Sequence, residues 1–300
     1  MSENAVQAAT TAARQLSLTV TDPTVLYDAF SVVVHLKPSP VVARVPMILP
    51  DHLTDIEVGE RRQQRELDMA AWLVSHGHPV VAPSPLVPLK PVERDGFSMT
   101  FWQYVDQSGE VDYLDATTRA AKLHAVLADY PEELPWLTPL LGVPSGLSAL
   151  EVVPGLLEQE DVDRALAEWD VLRPVLMSRA GFEAVFPSAT IQTIHGDAPS
   201  YNVIPTADGV LWADFEDTTL GPIEWDMAGF GPELGKVYDE AAASLGRPQL
   251  DERVQRVMDT ARVFQIMVCT PLVSRMPALA DGIRMFVGQW RAMPFAGGLG

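Results

Sequence analysis

The chain has 300 residues, of which 47% are hydrophobic and 20% are charged, a composition typical of a globular protein and not of a disordered one. It carries 21 basic and 40 acidic side chains, and the net charge of −19 argues against nucleic acid or an anionic membrane surface as a partner. Because Cys269 is its single cysteine, an internal disulfide and a cysteine-based zinc site are excluded, and we expect a cytoplasmic protein.

Neither a targeting segment nor a membrane span is expected from the sequence. Residues 1–16 lack the apolar core of a signal peptide, and the longest apolar stretch, 263–273, is too short to cross a bilayer. The charge is uneven: residues 1–106 carry 8 basic and 12 acidic side chains (net −4), whereas residues 107–300 carry 13 and 28 (net −15). The second part could attract a cation, although a solvated acidic surface is an equally good interpretation.

The first hundred residues are predicted to form strands around one helix. Runs of β-branched and aromatic residues predict strands at 27–36, 41–45, 80–82 and 98–104. A turn at 37–40 joins the first two strands, and prolines keep the third one at a sheet edge or very short. The helix is predicted over 58–75, where apolar residues recur at helical spacing, and Gly77 ends it.

Helical spacing dominates the remainder of the chain. Helices are predicted at 116–128, 161–177, 232–244 and 251–268. A strand pair between Ile191 and Phe215 interrupts them. We therefore predict an α+β fold with two lobes, a small antiparallel-sheet N-terminal lobe over 1–106 and a larger, mainly helical C-terminal lobe over 107–300, with a hinge at 102–108.

The predicted strand pair carries the residues most suggestive of chemistry. Asp208-Gly209 is a hairpin turn signal, and Asn202 and Asp214 each lie six residues from Asp208. We therefore expect their side chains to be cross-strand neighbours. Asp197 precedes the first strand on a tight loop, so all three side chains are expected to converge on one small volume.

Two carboxylates and an amide suit phosphoryl transfer. Magnesium prefers oxygen ligands and keeps substrate phosphates in its coordination shell, and Asn202 and Asp214 would supply such ligands. Asp197, which the metal does not need, could accept the proton of an attacking hydroxyl. This division of roles is that of phosphoryl transfer, in which positioning and charge neutralisation provide most of the catalysis.

The motifs in this region resemble those of a known family. They are His195-Gly196-Asp197, Asn202 five residues further on, Asp214-Phe215-Glu216 and Trp225-Asp226. In this order and spacing they resemble the aminoglycoside phosphotransferase family, which is similar to choline kinases and, more remotely, to protein kinases. The resemblance is strongest over 190–230, and it implies a protein-kinase-like fold with an ATP site between two lobes.

The resemblance also implies a role for each matching residue. Asp197 matches the catalytic carboxylate, and Asn202 and Asp214 match the magnesium ligands. His195 is expected to brace the loop through backbone hydrogen bonds. Asp226 is expected to anchor a loop and not to react.

A cation in the N-terminal part of the chain is predicted to bind nucleotide phosphates. Arg44 lies in an otherwise apolar strand and needs an anionic partner, and Glu66 lies on the apolar side of the predicted helix. We predict an Arg44–Glu66 pair in which Arg44 reaches the α and β phosphates, similar to the kinase arrangement of strand cation and helix glutamate. Most kinases have lysine here, but arginine also binds phosphates. A surface arginine with a buried stem is the alternative.

The remaining nucleotide contacts are predicted without a glycine-rich loop. Asp28-Ala29-Phe30-Ser31 stands where a phosphate-covering turn is expected, with Ser31 and nearby backbone N–H groups as the candidate cover. The segment 99–106 fits the connector whose backbone would bind adenine, through Gln103 and Val105. A core strand that runs into a linker is the alternative interpretation of this segment.

The sequence thus predicts an ATP- and magnesium-dependent O-phosphotransferase that acts on a hydroxyl group of a small molecule. The acidic second part favours a cationic acceptor such as an aminoglycoside or another amine-bearing antibiotic, bound between 130–180 and the helix around 238–240. Alternatives are a kinase of a neutral sugar or metabolic alcohol, a noncatalytic nucleotide-binding scaffold, and a metal-dependent hydrolase using His195, Asp197 and Asp214. GTP in place of ATP and the oligomeric state are left open.

Overall fold

The structure, a computed structural model, describes residues 2–48, 56–197 and 199–299. The chain divides into two compact units, one formed by residues 1–111 and 202–217 and the other by residues 112–201 and 218–300. Residues 202–217 thus belong to the first unit, although in sequence they lie between the two segments of the second unit. Backbone hydrogen bonds attach them there, because Val81 N–H donates to Trp212 O at 2.8 Å and Trp212 N–H to Pro79 O at 2.9 Å.

The first unit is built on a five-stranded antiparallel sheet with the strand order β1-β2-β3-β5-β4. The strands are β1 (Val20–Asp28), β2 (Ser31–Pro38), β3 (Val41–Pro46), β4 (Val92–Arg94) and β5 (Phe97–Gln103). The helices are α1 (Ser2–Gln15) and α2 (Ile56–Ser75). Helix α1 packs against one face of the sheet, and Leu67 and Ala70 of α2 pack with Val42 and Trp102.

Helix α1 is absent from the sequence prediction, although its buried face is visible in the sequence. Its buried residues are mainly alanines at helical spacing, namely Ala5, Ala8, Ala9, Ala12 and Ala13. They pack against the sheet residues Val32, Val34 and Val41. Because alanine is small, this face lets the helix backbone approach the sheet closely, and the pattern lacks the large apolar side chains that mark a typical amphipathic helix.

Two strand predictions in this unit are wrong. The run 27–36 is not one strand, because the chain turns at Ala29 and Phe30 between β1 and β2. Phe30 O instead accepts the N–H groups of Met47 and Ile48. The run 80–82 forms only an isolated bridge between Val80 and Trp212, since the prolines around it cannot donate ladder hydrogen bonds.

The hairpin of strands β7 (Val203–Thr206) and β8 (Gly209–Trp212) is confirmed, but its register differs from the prediction. Val203 faces Trp212, and the ladder continues outwards with Ala213 N–H donating to Asn202 O at 2.9 Å. Asn202 therefore faces Ala213, one residue before Asp214. The reason is the two-residue turn at 207–208, which centres the hairpin half a residue before Asp208.

The second unit is mainly helical. Its helices are α3 (Tyr113–Leu127), α4 (Val143–Ser148), α5 (Gln159–Leu176), α6 (Arg179–Val185), α7 (Gly231–Ser244), α8 (Glu252–Met267) and α9 (Leu279–Arg291). Strands β6 (Ile191–Ile194) and β9 (Thr219–Pro222) pair antiparallel. Helices α3, α5, α7 and α8 confirm the four predicted helices. In the part of the chain that the structure describes, no helix is both long enough and apolar enough to cross a lipid bilayer.

Candidate active site

Arg44, on strand β3, is the centre of a cluster of charged side chains in the first unit. Its Nη1 lies 2.8 Å from Glu216 Oε2 and 3.4 Å from Glu66 Oε2, and its Nη2 lies 2.9 Å from Asp214 Oδ1. The predicted Arg44–Glu66 pair is therefore confirmed as a contact. It is nevertheless the longest of the three, and Asp214 and Glu216 are the closer partners.

A second arginine, Arg62 on helix α2, extends the cluster. Its Nη1 lies 2.9 Å from Glu216 Oε2 and its Nη2 lies 2.7 Å from Asp217 Oδ1. Arg62 thus attaches α2 to the short 3-10 turn Phe215–Asp217. The sequence prediction missed this residue, although it lies four positions before Glu66, a spacing that places both on one face of the helix.

Burial and charge act in opposite directions on this cluster. Burial raises the pKa of Glu66 to about 8, because Arg44 offsets only part of the cost of desolvating the carboxylate. Burial also opposes ionisation of Glu216, but the charges of Arg44 and Arg62 outweigh it and lower the pKa of Glu216 to about 2. Despite burial, Asp214, Glu216 and Glu66 raise the pKa of Arg44 above its ordinary value. Arg44 is therefore a permanent cation, shared chiefly by Glu216 and Asp214.

The raised pKa of Glu66 predicts how the stability of the protein depends on pH. Because the folded-state pKa lies above the unfolded one, folding retains a proton between about pH 4.5 and about pH 8, and stability from this group falls as the pH rises through that interval. Relative to Glu66→Gln, the melting temperature of the wild type should fall between about pH 5 and about pH 8 and then run parallel. Thermal melts in magnesium-free buffer measure this difference.

The control for this experiment is Glu57→Gln, an exposed glutamate in the first turn of the same helix. The difference in melting temperature between the wild type and Glu57→Gln should not show this fall between about pH 5 and about pH 8. If the melting temperatures of the wild type and Glu66→Gln instead change in parallel with pH over the whole interval, Glu66 is ionised in the folded protein at neutral pH.

The candidate metal ligands, Asn202 and Asp214, lie at the open end of the hairpin β7–β8. Asp214 has a φ of 62°, so the chain turns sharply there, and the side chain is 34% exposed. A carboxylate and an amide oxygen fit magnesium, which commonly takes one or two protein ligands and completes its shell with water and substrate phosphates. Over the described ranges, no three His, Cys, Asp or Glu side chains are grouped so as to hold a metal. Water and the phosphates of a bound nucleotide would complete the shell of a magnesium ion held here.

The loop of Asp197 is held by Asp226 in the second unit. Asp226 Oδ2 accepts the N–H of His195 and Oδ1 accepts the N–H of Gly196, both at 2.8 Å. His124 Nε2 lies 2.8 Å from Asp226 Oδ2, and its Nδ1 lies 2.7 Å from the hydroxyl of Tyr238. Burial opposes the charge of Asp226, but the hydrogen bond from His124 and the charges around it lower its pKa. The expectation that Asp226 anchors the loop is confirmed.

The neighbouring Trp225 holds the same loop from its carbonyl side. Its indole N–H donates to Gly196 O at 2.7 Å. Gly196 has a φ of 89°, a conformation that L-residues with side chains rarely adopt, and it turns the chain so that Asp197 follows with a 44% exposed side chain. Arg262 Nη1 lies 3.4 Å from Asp197 Oδ1, a contact that sequence reasoning missed.

The roles of Ser31, Gln103 and Val105 in nucleotide binding stay predictions, and the structure gives only their positions. Ser31 begins β2 and is only 5% exposed, whereas the neighbouring Phe30 is 38% exposed. Gln103 N–H donates to Ala82 O at 2.9 Å, so only other groups of this residue could meet a nucleotide. Val105 is half-buried in the connector.

One predicted part of the acceptor region is corrected. Tyr238 on helix α7 is 2% exposed and its hydroxyl is bonded to His124, so it is a core residue. Asp239 Oδ1 accepts the N–H of Leu250 at 2.8 Å. The helical spacing placed these residues on α7 but did not show which side of the helix faces the core.

The fold is similar to that of solved small-molecule kinases. A choline/ethanolamine kinase family protein from Mesorhizobium loti is 15% identical, with a TM-score of 0.61, over 100% of this chain and 98% of its own. The GDP complex of aminoglycoside 2′-phosphotransferase-IIIa is 14% identical, with a TM-score of 0.62, over 95% and 97%. An aminoglycoside phosphotransferase from Streptomyces rimosus, in complex with ADP and streptomycin, is 16% identical, with a TM-score of 0.59, over 87% and 98%.

At the level of sequence, no protein-family model matches the chain, and no curated protein matches it. The likeness is therefore one of fold, and it extends over nearly the whole chain. The prediction of an α+β, protein-kinase-like fold is confirmed, and the chain has this fold in the form found in choline/ethanolamine kinases and aminoglycoside phosphotransferases.

Proposed function

We propose that this protein is a small-molecule kinase that transfers the terminal phosphoryl group of ATP to a hydroxyl group in a magnesium-dependent reaction. The observation that carries the proposal is the contact of Arg44 Nη2 with Asp214 Oδ1 at 2.9 Å. It joins, within one unit, a largely buried cation suited to phosphate oxygens and a carboxylate suited to a metal. The fold, shared with kinases of small molecules, supports the same function.

In this proposal the first unit binds the nucleotide. Arg44 binds phosphate oxygens, while Glu66 and Glu216 fix the direction of its guanidinium. Asn202 and Asp214 hold magnesium, which when bound neutralises charge on the phosphates. The turn before Ser31 covers the phosphates, and the backbone at Gln103 and Val105 meets the base. Since solved proteins of this fold contain GDP or ADP, GTP is kept as an alternative donor.

Asp197 is the proposed catalytic residue of the second unit. Its carboxylate orients the acceptor hydroxyl and takes its proton as the hydroxyl oxygen bonds to the terminal phosphorus and the bond to the ADP oxygen breaks. The anchors from Trp225 and Asp226 fix the backbone on which this carboxylate stands. A fixed backbone matters because transfer depends mainly on positioning.

The acceptor is proposed to be cationic. Residues 107–300 carry a net charge of −15, and a fold relative is bound to streptomycin. A surface of this sign concentrates cations near it and repels anions. The alternative is a neutral sugar or metabolic alcohol, for which this charge would give no advantage.

The test begins with nucleotide binding and ends with turnover. Mg-ATP should raise the melting temperature by several degrees, whereas ATP with excess chelator should do so much less, because the ligand stabilises the folded state to which it binds. An ADP-release assay over hydroxyl acceptors then includes aminoglycosides, choline and the uncharged choline isostere 3,3-dimethylbutan-1-ol. A lower KM for the charged member of that pair supports a cationic acceptor.

Each other outcome favours a named alternative. Turnover of sugars in preference to amines favours a kinase of neutral alcohols. Stabilisation by Mg-ATP without turnover of any acceptor favours a noncatalytic nucleotide-binding scaffold. Stabilisation by zinc in place of Mg-ATP favours a metal-dependent hydrolase.

A further inference from the structure

Arg262, on helix α8, is an almost fully buried arginine that is fixed from three sides. Its guanidinium carbon lies 4.1 Å from the ring centroid of Trp225. Nη2 donates to Trp225 O at 3.2 Å, and Nη1 donates to Gln265 Oε1 at 2.6 Å. The residue is only 5% exposed, so its position is determined by these contacts and not by solvent.

The same guanidinium reaches Asp197. Arg262 Nη1 lies 3.4 Å from Asp197 Oδ1, and the two side chains differ strongly in exposure, 6% for the arginine and 44% for the aspartate. A buried cation thus faces a carboxylate that is open towards solvent. Holding the aspartate from its buried side restricts its rotamer while its accessible side remains available to a substrate.

Arg262 also completes a set of anchors on the Asp197 loop. Asp226 accepts the backbone N–H groups that precede Asp197, and the Trp225 indole donates to Gly196 O. These bonds fix the backbone but not the side chain of Asp197. Arg262, which rests on the ring of Trp225, makes a direct contact with that side chain.

We propose that Arg262 is a positioning residue that holds the Asp197 side chain in its working rotamer beside a permanent positive charge. This inference rests on the proposed function, since it assigns to Arg262 an action through the proposed catalytic carboxylate. In enzymes, a misplacement of a catalytic group by about 1 Å can lower the rate by about 10²-fold. Loss of Arg262 should therefore affect turnover more than it affects binding of Mg-ATP.

The first experiment replaces Arg262 with methionine, which keeps a long apolar stem. We expect kcat to fall by about 10- to 100-fold, with the KM for ATP changed by less than about 2-fold, because nucleotide binding is assigned to residues of the first unit. The kcat of Arg262→Lys, which retains a charge but not the planar guanidinium, should lie between those of the wild type and Arg262→Met. If Arg262→Met does not fold, the same measurements on Arg262→Lys test the proposal.

The matched control is Arg164→Met, from the same unit. The Arg164 guanidinium lies 4.4 Å from the ring of Trp290, Nε lies 2.7 Å from Glu168, and Nη1 donates to a backbone carbonyl. Its loss should lower the melting temperature in a similar way but leave kcat within about 2-fold of the wild type. An equal loss of kcat in both variants would show that Arg262 acts only through stability and would overturn the proposal.

A double-mutant cycle with Asp197→Asn decides whether Arg262 acts through Asp197. Adding Arg262→Met to Asp197→Asn should cost less than about 2-fold further in kcat, and the losses in melting temperature should also be non-additive. Additive losses in either measurement would overturn the proposal.

The melting temperatures need no acceptor, and the wild type is assayed beside every variant. Failure of the proposed function therefore shows as an inactive wild type, whereas failure of this inference shows as an active Arg262→Met.

Discussion

Replacing Asp197 with asparagine should lower kcat by about 10²- to 10⁴-fold, the usual contribution of a general acid or base. The substitution keeps the shape of the side chain but removes the proton acceptor and its charge. The backbone anchors from Trp225 and Asp226 do not involve this side chain, so the loop should keep its conformation. Mg-ATP should still bind, and titration calorimetry together with initial rates measures both quantities.

The matched control for Asp197→Asn is Asp208→Asn, the same substitution at the exposed turn of the hairpin β7–β8. It should leave kcat unchanged. Asp214→Asn provides the contrast, because loss of a charged ligand should weaken magnesium-dependent nucleotide binding, and a higher magnesium concentration should partly restore it. If Asp197→Asn abolishes binding of Mg-ATP, or Asp214→Asn keeps a normal magnesium dependence, the two roles are assigned wrongly.

Much of the candidate site could be predicted from short stretches of sequence. The Asp208-Gly209 signal predicts a hairpin with Asn202 and Asp214 at one end, and the observed turn at 207–208 shifts their register by only one position. Arg44 and Glu66 could be paired because a charge within each apolar pattern requires a partner. These inferences succeed because they rely on the periodicity of single elements and on the general cost of burying a charge.

The remainder depends on contacts between residues that are distant in sequence. Asp214 lies 170 residues from Arg44, and Arg262 lies 65 residues from Asp197. Periodicity shows which face of a helix is apolar, but not which distant loop that face meets. For this reason the sequence does not distinguish Arg62 from the other arginines on the same helix. Only the fold shows that Arg62 binds Asp217, in the turn after Asp214.

Replacement of Arg44 by methionine should abolish use of Mg-ATP and also destabilise the protein. Removing one partner of a buried ion pair typically costs about 3–5 kcal/mol, because the other charge remains buried without compensation. Here the group most affected is Glu216, which Arg44 contacts at 2.8 Å and whose low pKa depends on Arg44 and Arg62. The melting temperature should therefore fall by about 10 °C.

Second substitutions identify which carboxylate depends on Arg44. In the Arg44→Met background, Glu216→Gln should restore more of the melting temperature than Glu66→Gln, since Glu66 makes the longest contact and burial already favours its protonated form. The matched control for Arg44→Met is Arg14→Met, because Arg14 lies in the same unit and donates to a backbone carbonyl, Val20 O. Arg14→Met should leave Mg-ATP binding intact. Greater recovery with Glu66→Gln would make Glu66 the principal partner of Arg44. Normal binding of Mg-ATP by Arg44→Met would remove Arg44 from the nucleotide site.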